Sequence, residues 1–249
     1  MEPEVVDAYL ARIGAAATSP LGDLQELHLR SVPFENLDIH LGERIVLDED
    51  ALVAKVVRRR GGFCYEVNGA FAALLRALGY EVQLLSAKVF QGDRLSAPFE
   101  HLALRVADEL VDVGFGRFSL RPLRLDVRDD QQGPAGVFRV VEAEHGDLDV
   151  LMDGEPQYRL ELRPRTLADF APTCWYQQTS PDSPFRRNPL ATLPTARGRI
   201  TLSGNTMITT EAGERTEREL SDDDLLAAYR GLFGIGLDTL PRVIAAEGR

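Results

Sequence analysis

Apolar residues recur every three or four positions through the first third of the chain. Val5 to Ile13 and Leu21 to Leu29 carry this spacing, which predicts amphipathic helices. Leu52 to Val57 reads as part of another. Val67, Phe71, Leu74, Leu75 and Leu78 continue the pattern until Gly79 supplies a stop. From Glu81 to about Val140 the pattern changes. Val82 to Leu85, His101 to Val106 and Leu110 to Phe115 are short and strongly apolar, as strands are. Further strands are predicted around Gly136 to Val141 and Tyr158 to Leu162. Pro181 to Pro194 is rich in proline and polar residues and reads as a long surface segment. Beyond it, Arg199 to Leu202, Met207 to Thr210 and Arg215 to Leu220 are predicted to form a meander, with turns at Ser203-Gly204-Asn205 and Ala212-Gly213. Ser221 is an expected N-cap for a last helix, with Asp222, Asp223 and Asp224 in its first turn and Gly234 after it. Helices, then strands, then a small mixed end describe an α+β protein rather than a repeating βαβ one.

Composition narrows the function classes. The chain has 249 residues, enough for one large domain or two to three small ones. A formal net charge of −11 argues against a general partner for nucleic acid or anionic membranes. No apolar run approaches the roughly 20 residues that cross a bilayer. The acidic start, Met1-Glu2-Pro3-Glu4, lacks a secretory pattern, so a cytoplasmic location is expected. Two cysteines, Cys64 and Cys174, make no disulfide framework. No cysteine–histidine or histidine–histidine pair has metal-ligand spacing, and no metal is expected.

The candidate chemistry begins at Arg60-Gly61-Gly62-Phe63-Cys64-Tyr65-Glu66-Val67-Asn68. Cys64 stands at or just before a predicted helix N-terminus, whose partial positive charge favours a thiolate. The glycine pair allows close backbone approach. Taken alone, a cysteine beside apolar residues is more often an inert small hydrophobe.

Its possible partners lie in a predicted hairpin. With a two-residue turn at Ala107-Asp108, Val106 faces Glu109 and Asp112 falls opposite Ala103. His101 and Asp112 then become diagonal neighbours on one face, within side-chain reach. A turn one residue longer or shorter would separate them. A carboxylate in a buried strand needs a partner, and an imidazole is a natural one. Singly, each is more often a structural polar group. His28 and His40 read as structural, and His145 as solvated.

These residues resemble the arylamine N-acetyltransferase family. Arg60-Gly61-Gly62-Phe63-Cys64-Tyr65-Glu66 with Asn68 is similar to its active-site motif, and Val32-Pro33-Phe34-Glu35-Asn36-Leu37-Asp38-Ile39 to its N-terminal signature. His101, with Val111-Asp112-Val113-Gly114-Phe115-Gly116, is similar to its histidine and aspartate segment. Trp175-Tyr176-Gln177-Gln178-Thr179-Ser180-Pro181-Asp182-Ser183-Pro184-Phe185 resembles the entry to its third domain. The resemblance covers nearly the whole chain, in order. It implies a Cys64, His101 and Asp112 triad and ping-pong acyl transfer from acetyl-CoA to a small aromatic amine. It implies three domains: a helical bundle (1–80), a β-barrel-like domain (81–190) and an α/β lid (191–249).

Phe34, Phe63, Phe99 and Phe185 are candidates for an acceptor pocket, though each alone reads as core. Gly114 and Gly116 are candidates for close passage of the donor's pantetheine arm, or ordinary turn glycines. Arg60 and Glu35 are expected to form a structural ion pair. Arg186-Arg187 reads as solvated, with a donor phosphate as the alternative, and Cys174 as structural. A related compact group, the ansamycin amide synthases, shares the triad, takes its acyl chain from an acyl-carrier protein and closes a macrolactam. That reading stays open, beside a cysteine hydrolase and a non-enzymatic binding module.

Overall fold

The computed structural model describes residues 1–243. The expected helices form at Pro3–Ile13, Leu21–Ser31, Glu49–Val57 and Cys64–Ala77. Their apolar stripes meet around Tyr9, Leu24, Phe71 and Leu74, all fully buried. The Cys64–Ala77 helix is the axis of this cluster, buried along nearly its entire length. A helix apolar all round belongs inside rather than on a surface. Its first residue, Cys64, therefore begins in the interior.

The second unit is an antiparallel barrel-like sheet. Around it run Leu123–Arg124, Glu109–Val111, His101–Val106, Val82–Gln91, Glu155–Leu160, Leu148–Met152, Gly136–Glu142 and Gln131–Gly133. The two edge strands are joined by one side chain. Gln131 donates Nε2–H to the Arg124 carbonyl (2.9 Å), and its Oε1 accepts from Arg124 N–H (2.7 Å). The amide thus occupies backbone groups that an open edge would leave unpaired. Phe138, Val140, Val150, Tyr158 and Leu160 fill the interior.

The predicted hairpin register is present, with Val106 opposite Glu109 and Leu104 opposite Val111. The second strand is shorter than expected. It ends at Val111, because the next amides leave the ladder. Val113 N–H donates to Asn68 Oδ1, and Gly114 N–H to Asp112 Oδ1. Side-chain acceptors replace strand partners there.

The meander forms Gly198–Ser203, Thr206–Glu211 and Glu214–Glu219, and Ser221 caps the Asp222–Phe233 helix through Asp224 N–H. The reading of Pro181 to Pro194 as surface needs correction. Leu190–Pro194 is a strand inside this sheet, between Gly198–Ser203 and the short Phe34–Glu35 strand. Flanking Pro189 and Pro194 disguise it. The terminal position is where a strand tolerates proline. Leu148–Met152 and the Ala171–Thr179 helix were also not anticipated. The latter buries only Cys174 and Gln177 and has no apolar stripe. Among the described residues, no helix is long and apolar enough to cross a membrane.

Candidate active site

The bend into Cys64 is set by close backbone packing. A Cβ on Gly61 would stand 1.8 Å from the Pro33 carbonyl oxygen, so only glycine fits. Phe63 then enters the helix in extended conformation, and Glu66 Oε2 reaches back to accept its N–H at 3.1 Å, one half of a capping box. The other carboxylate oxygen accepts from Lys55 Nζ at 2.5 Å, and Lys55 also contacts Asp38 at 2.6 Å. Arg60 donates to both Glu35 oxygens, at 3.0 and 3.2 Å, and to Asp38 at 2.5 Å. The expected Arg60–Glu35 pair is thus part of a larger buried network that fixes the loop before Cys64.

Cys64 is 4% exposed. Its Sγ lies 3.8 Å from the Glu100 carbonyl. Burial pushes the thiol well above its ordinary range, the backbone contact at Leu102 lowers it, and the nearby Asp112 carboxylate adds to the rise. A lone thiolate is therefore disfavoured here. Cys64 is the first residue of its helix, where the helix dipole favours a thiolate and burial opposes it.

The hairpin supplies the other two groups. His101 Nε2–H donates to Asp112 Oδ2 at 2.8 Å, with both side chains buried. Asp112 accepts three further hydrogen bonds. Tyr158 Oη–H reaches the same oxygen at 3.1 Å, while Asn68 Nδ2–H (3.0 Å) and Gly114 N–H (2.9 Å) take the other. A carboxylate so satisfied can remain charged in the interior. His101 Nδ1 makes no hydrogen bond among the described residues, and His101 and Cys64 line one cavity. Phe115 and Tyr158 hold the ring, at centroid distances of 5.0 and 5.1 Å.

This cavity, about 190 Å³, is lined by Cys64, His101 and, of the substrate-binding candidates, Phe34, Gly114 and Phe185, together with Phe115, Val89, Gln91, Glu100 and Pro184, which the sequence did not single out. The other three substrate-binding candidates, Phe63, Phe99 and Gly116, are not part of its lining. Phe63 is wholly buried and packs edge-on to Tyr65 and Phe185. Phe99 turns away onto Phe170 and beneath the Arg165 guanidinium. Gly116 is outside the lining, although its φ of +81° does call for glycine. Phe99 contributes differently. It holds a φ of +63°, uncommon for a bulky residue, and its carbonyl accepts from Tyr65 Oη–H at 2.8 Å. This strained step presents Glu100 and His101 to the cavity.

An outer vestibule of about 590 Å³ shares Gln91, Glu100 and Pro184 with the inner cavity. Glu100 Oε1 accepts from Gln177 at 2.6 Å, and burial raises its pKa. Arg187 lines the vestibule, whereas Arg186 donates to the Thr179 carbonyl. Cys174 is buried, and burial pushes its thiol up to about 12, in keeping with a structural reading. His28 and His40 are buried in the helical region and His145 is exposed. No cluster of three or more metal-ligating side chains occurs among the described residues.

Comparison with known proteins agrees with the motifs. The family model described as N-acetyltransferase matches residues 19–242. The chain is 37% identical to the arylamine N-acetyltransferase of Mycolicibacterium smegmatis, over 93% of this chain and 92% of that protein. It is 31% identical to the pineal gland isozyme NAT-10 of Gallus gallus, over 94% of each. Among solved structures, M. smegmatis arylamine N-acetyl transferase superposes with a TM-score of 0.84 at 34% identity, covering 95% of this chain and 93% of that one. The Salmonella typhimurium enzyme gives 0.86 at 27% identity, covering 100% and 96%. With motifs, fold and buried Cys, His and Asp side chains in agreement, the chain belongs to the arylamine N-acetyltransferase family and is an enzyme of the N-acetyltransferase type.

Proposed function

We propose that this enzyme transfers an acetyl group from acetyl-CoA to the nitrogen of an aromatic amine, through a thioester on Cys64. The observation that carries the reading is the meeting of Cys64 and the Asp112-bound His101 at one apolar cavity.

Burial raises the pKa of the Cys64 thiol, so its proton needs a neighbouring base. The proton leaves to His101 Nδ1 rather than to water, and Asp112 steadies the resulting imidazolium. Cys64 Sγ then bonds to the acetyl carbon. The first-turn N–H groups of Cys64 and Tyr65, which the helix itself leaves without partners, serve as donors to the oxyanion. The donor's carbon–sulfur bond breaks, and its sulfur takes the proton back from His101. In the second half, the amine attacks the acetyl carbon while His101 Nδ1 accepts the proton it sheds. The carbon–Sγ bond breaks, and that proton returns to Cys64.

Phe34, Phe115 and Phe185 give the cavity an aromatic wall, suited to an aryl acceptor. Its mainly apolar lining also limits hydrolysis of the thioester. A free thiol nucleophile fits a reducing, cytoplasmic setting. The outer vestibule leaves room for a longer acyl chain, which keeps the carrier-fed amide synthase reading in play.

The test is the fate of the acyl-enzyme. After acetylation and removal of donor, an aniline should discharge Cys64 far faster than water does, yielding the acetanilide. Equal rates with and without amine would indicate a hydrolase instead.

A further inference from the structure

Beside Cys64 and His101 stands a carboxylate that the transfer chemistry does not use. Glu100 lines both the inner cavity and the outer vestibule. Among the described residues, no lysine or arginine lines the inner cavity or pairs with Glu100. Its position is nonetheless built. Gln177 and Ser183 are both fully buried. Ser183 Oγ–H donates to Gln177 Oε1 at 2.7 Å, and Gln177 Nε2–H donates to Glu100 Oε1 at 2.6 Å. Tyr65 Oη–H fixes the Glu100 carbonyl at 3.2 Å. Glu100 Oε2 has no hydrogen-bond partner among the described residues. Burial raises the Glu100 pKa, and the Gln177 hydrogen bond and the His101 charge oppose that rise. A half-buried carboxylate, oriented and with one oxygen unspent, is stabilised by a ligand that brings a positive charge to it.

Its partner shows where that carboxylate points. Gln177 belongs to the Ala171–Thr179 helix, whose Pro172, Thr173 and Tyr176 line the vestibule. The carboxylate therefore stands on the vestibule side, whereas Cys64, His101 and Phe115 line the inner cavity alone. A cavity of about 150 Å³ holds a benzene ring, so the inner cavity, about 190 Å³, has room for one. With its amino group at Cys64, such a ring turns its far substituent toward Glu100. We infer that Glu100 is a specificity-determining residue, which selects aromatic amines carrying a second, cationic group on the far side of the ring and disfavours those carrying a carboxylate there. A site with an oriented polar group discriminates against ligands that leave it unpaired. On the vestibule wall, Asp182 adds to the negative field and Arg187 opposes it. The substrate class rests on the acyl-transfer reading, whereas the cation site does not.

Titration calorimetry with p-methylbenzylammonium, in which a methyl group replaces the reacting amine, tests the site without any transfer. The wild-type protein should bind it, and Glu100→Gln should bind it roughly tenfold more weakly. Glutamine has the shape of glutamate and keeps an acceptor oxygen for Gln177, so the fold should be retained, which circular dichroism checks. Equal affinity in wild type and Glu100→Gln, or no binding to either, overturns the site.

Kinetics then test the substrate class. Acetyl-enzyme freed of donor is discharged with p-(aminomethyl)aniline, whose side group is cationic at neutral pH, with neutral p-methylaniline, and with anionic p-aminobenzoate. The readout is the ratio of discharge rates, in which any change in the reactivity of Cys64 or His101 cancels. From wild type to Glu100→Gln, the preference for p-(aminomethyl)aniline over p-methylaniline should fall roughly tenfold, and p-aminobenzoate should gain on p-methylaniline. Glu100→Asp, which keeps the charge, should retain part of the preference. The acetyl group should be found on the ring nitrogen. Equal ratios in wild type and Glu100→Gln, or an acetyl group on the aminomethyl nitrogen, would overturn the assignment. Glu100-dependent binding of p-methylbenzylammonium by an enzyme that discharges to none of the three amines would fault the transfer reading and not the site.

Discussion

Asn68 and Asp112 are joined across the interface between the nucleophile's helix and the barrel. Asn68 stands one helical turn after Cys64, on the same face. Its amide donates to Asp112 Oδ1 and to the Leu102 carbonyl, while its Oδ1 accepts from Val113 N–H. One side chain therefore fixes the depth and rotation of the helix against the hairpin that carries His101 and Asp112. Asn68→Ala should lower stability by about 1–3 kcal/mol for the orphaned Val113 N–H alone. Asn68→Asp, though nearly isosteric, should be worse, because it sets a second carboxylate against Asp112 and cannot donate. Denaturant midpoints for the two variants check the order; an Asp variant as stable as wild type would contradict it.

The two glycines after Asp112 should respond differently to alanine. A Cβ on Gly114 would stand 2.7 Å from Cys64 Cα and 2.6 Å from Asn68 Nδ2. Cys64 Cα is backbone and not the far end of a flexible side chain, so Gly114→Ala must shift the helix entry and Cys64 with it. We expect a stability loss of about 1–3 kcal/mol and a fall in acylation rate on the order of 10²-fold. A Cβ on Gly116 meets nothing within 4 Å. Gly116→Ala should cost only backbone strain, about 1–2 kcal/mol. Stopped-flow acylation of both variants separates space from conformation.

The Arg60 network holds the loop that delivers Cys64. Arg60→Met would leave Glu35, 0% exposed at its side chain, without its countercharge. Breaking a buried pair on one side typically costs about 3–5 kcal/mol. Urea unfolding of Arg60→Met should show a loss of that order; a change under 1 kcal/mol would mean that this network does not hold the loop.

His28 should make stability depend on pH. It is fully buried, its Nε2 meets Tyr9 Oη at 3.0 Å, and Phe71 packs on its ring. Burial, and then the Arg12 charge, lower its pKa from 6.5 to about 3. Between those values the unfolded chain takes up a proton that the folded one refuses. Stability is therefore retained above 6.5 and lost as pH falls toward 3, with a slope of up to about 1.4 kcal/mol per pH unit. His28→Phe should flatten this part of the profile between pH 6.5 and 4. Parallel slopes for variant and wild type would contradict the assignment.

Contacts made within a short stretch could be read from the sequence, whereas contacts made by packing could not. His101 and Asp112 sit on one hairpin, so a two-residue turn was enough to bring them together. Cys64 reaches them only because a buried helix docks on the barrel, which no local pattern encodes. Tyr158 arrives 46 residues after Asp112, when the barrel curls, and its strand carries no chemical signal. The phenylalanines illustrate the same limit. Phe34 and Phe185 face the cavity, but Phe63 is pulled inward by the extended entry to its helix, and Phe99 is turned by its positive φ. The prolines around Leu190–Pro194 hid a strand because proline marks strand ends as well as loops.

The most direct measurement is intact-protein mass after brief exposure to acetyl-CoA, for the wild type and Cys64→Ala. A single acetyl group on the wild type, absent from the variant and released by a simple aniline, is the predicted result. Folded wild-type protein that takes up no acetyl group, while Cys64 still reacts with a thiol reagent, would contradict transfer from acetyl-CoA.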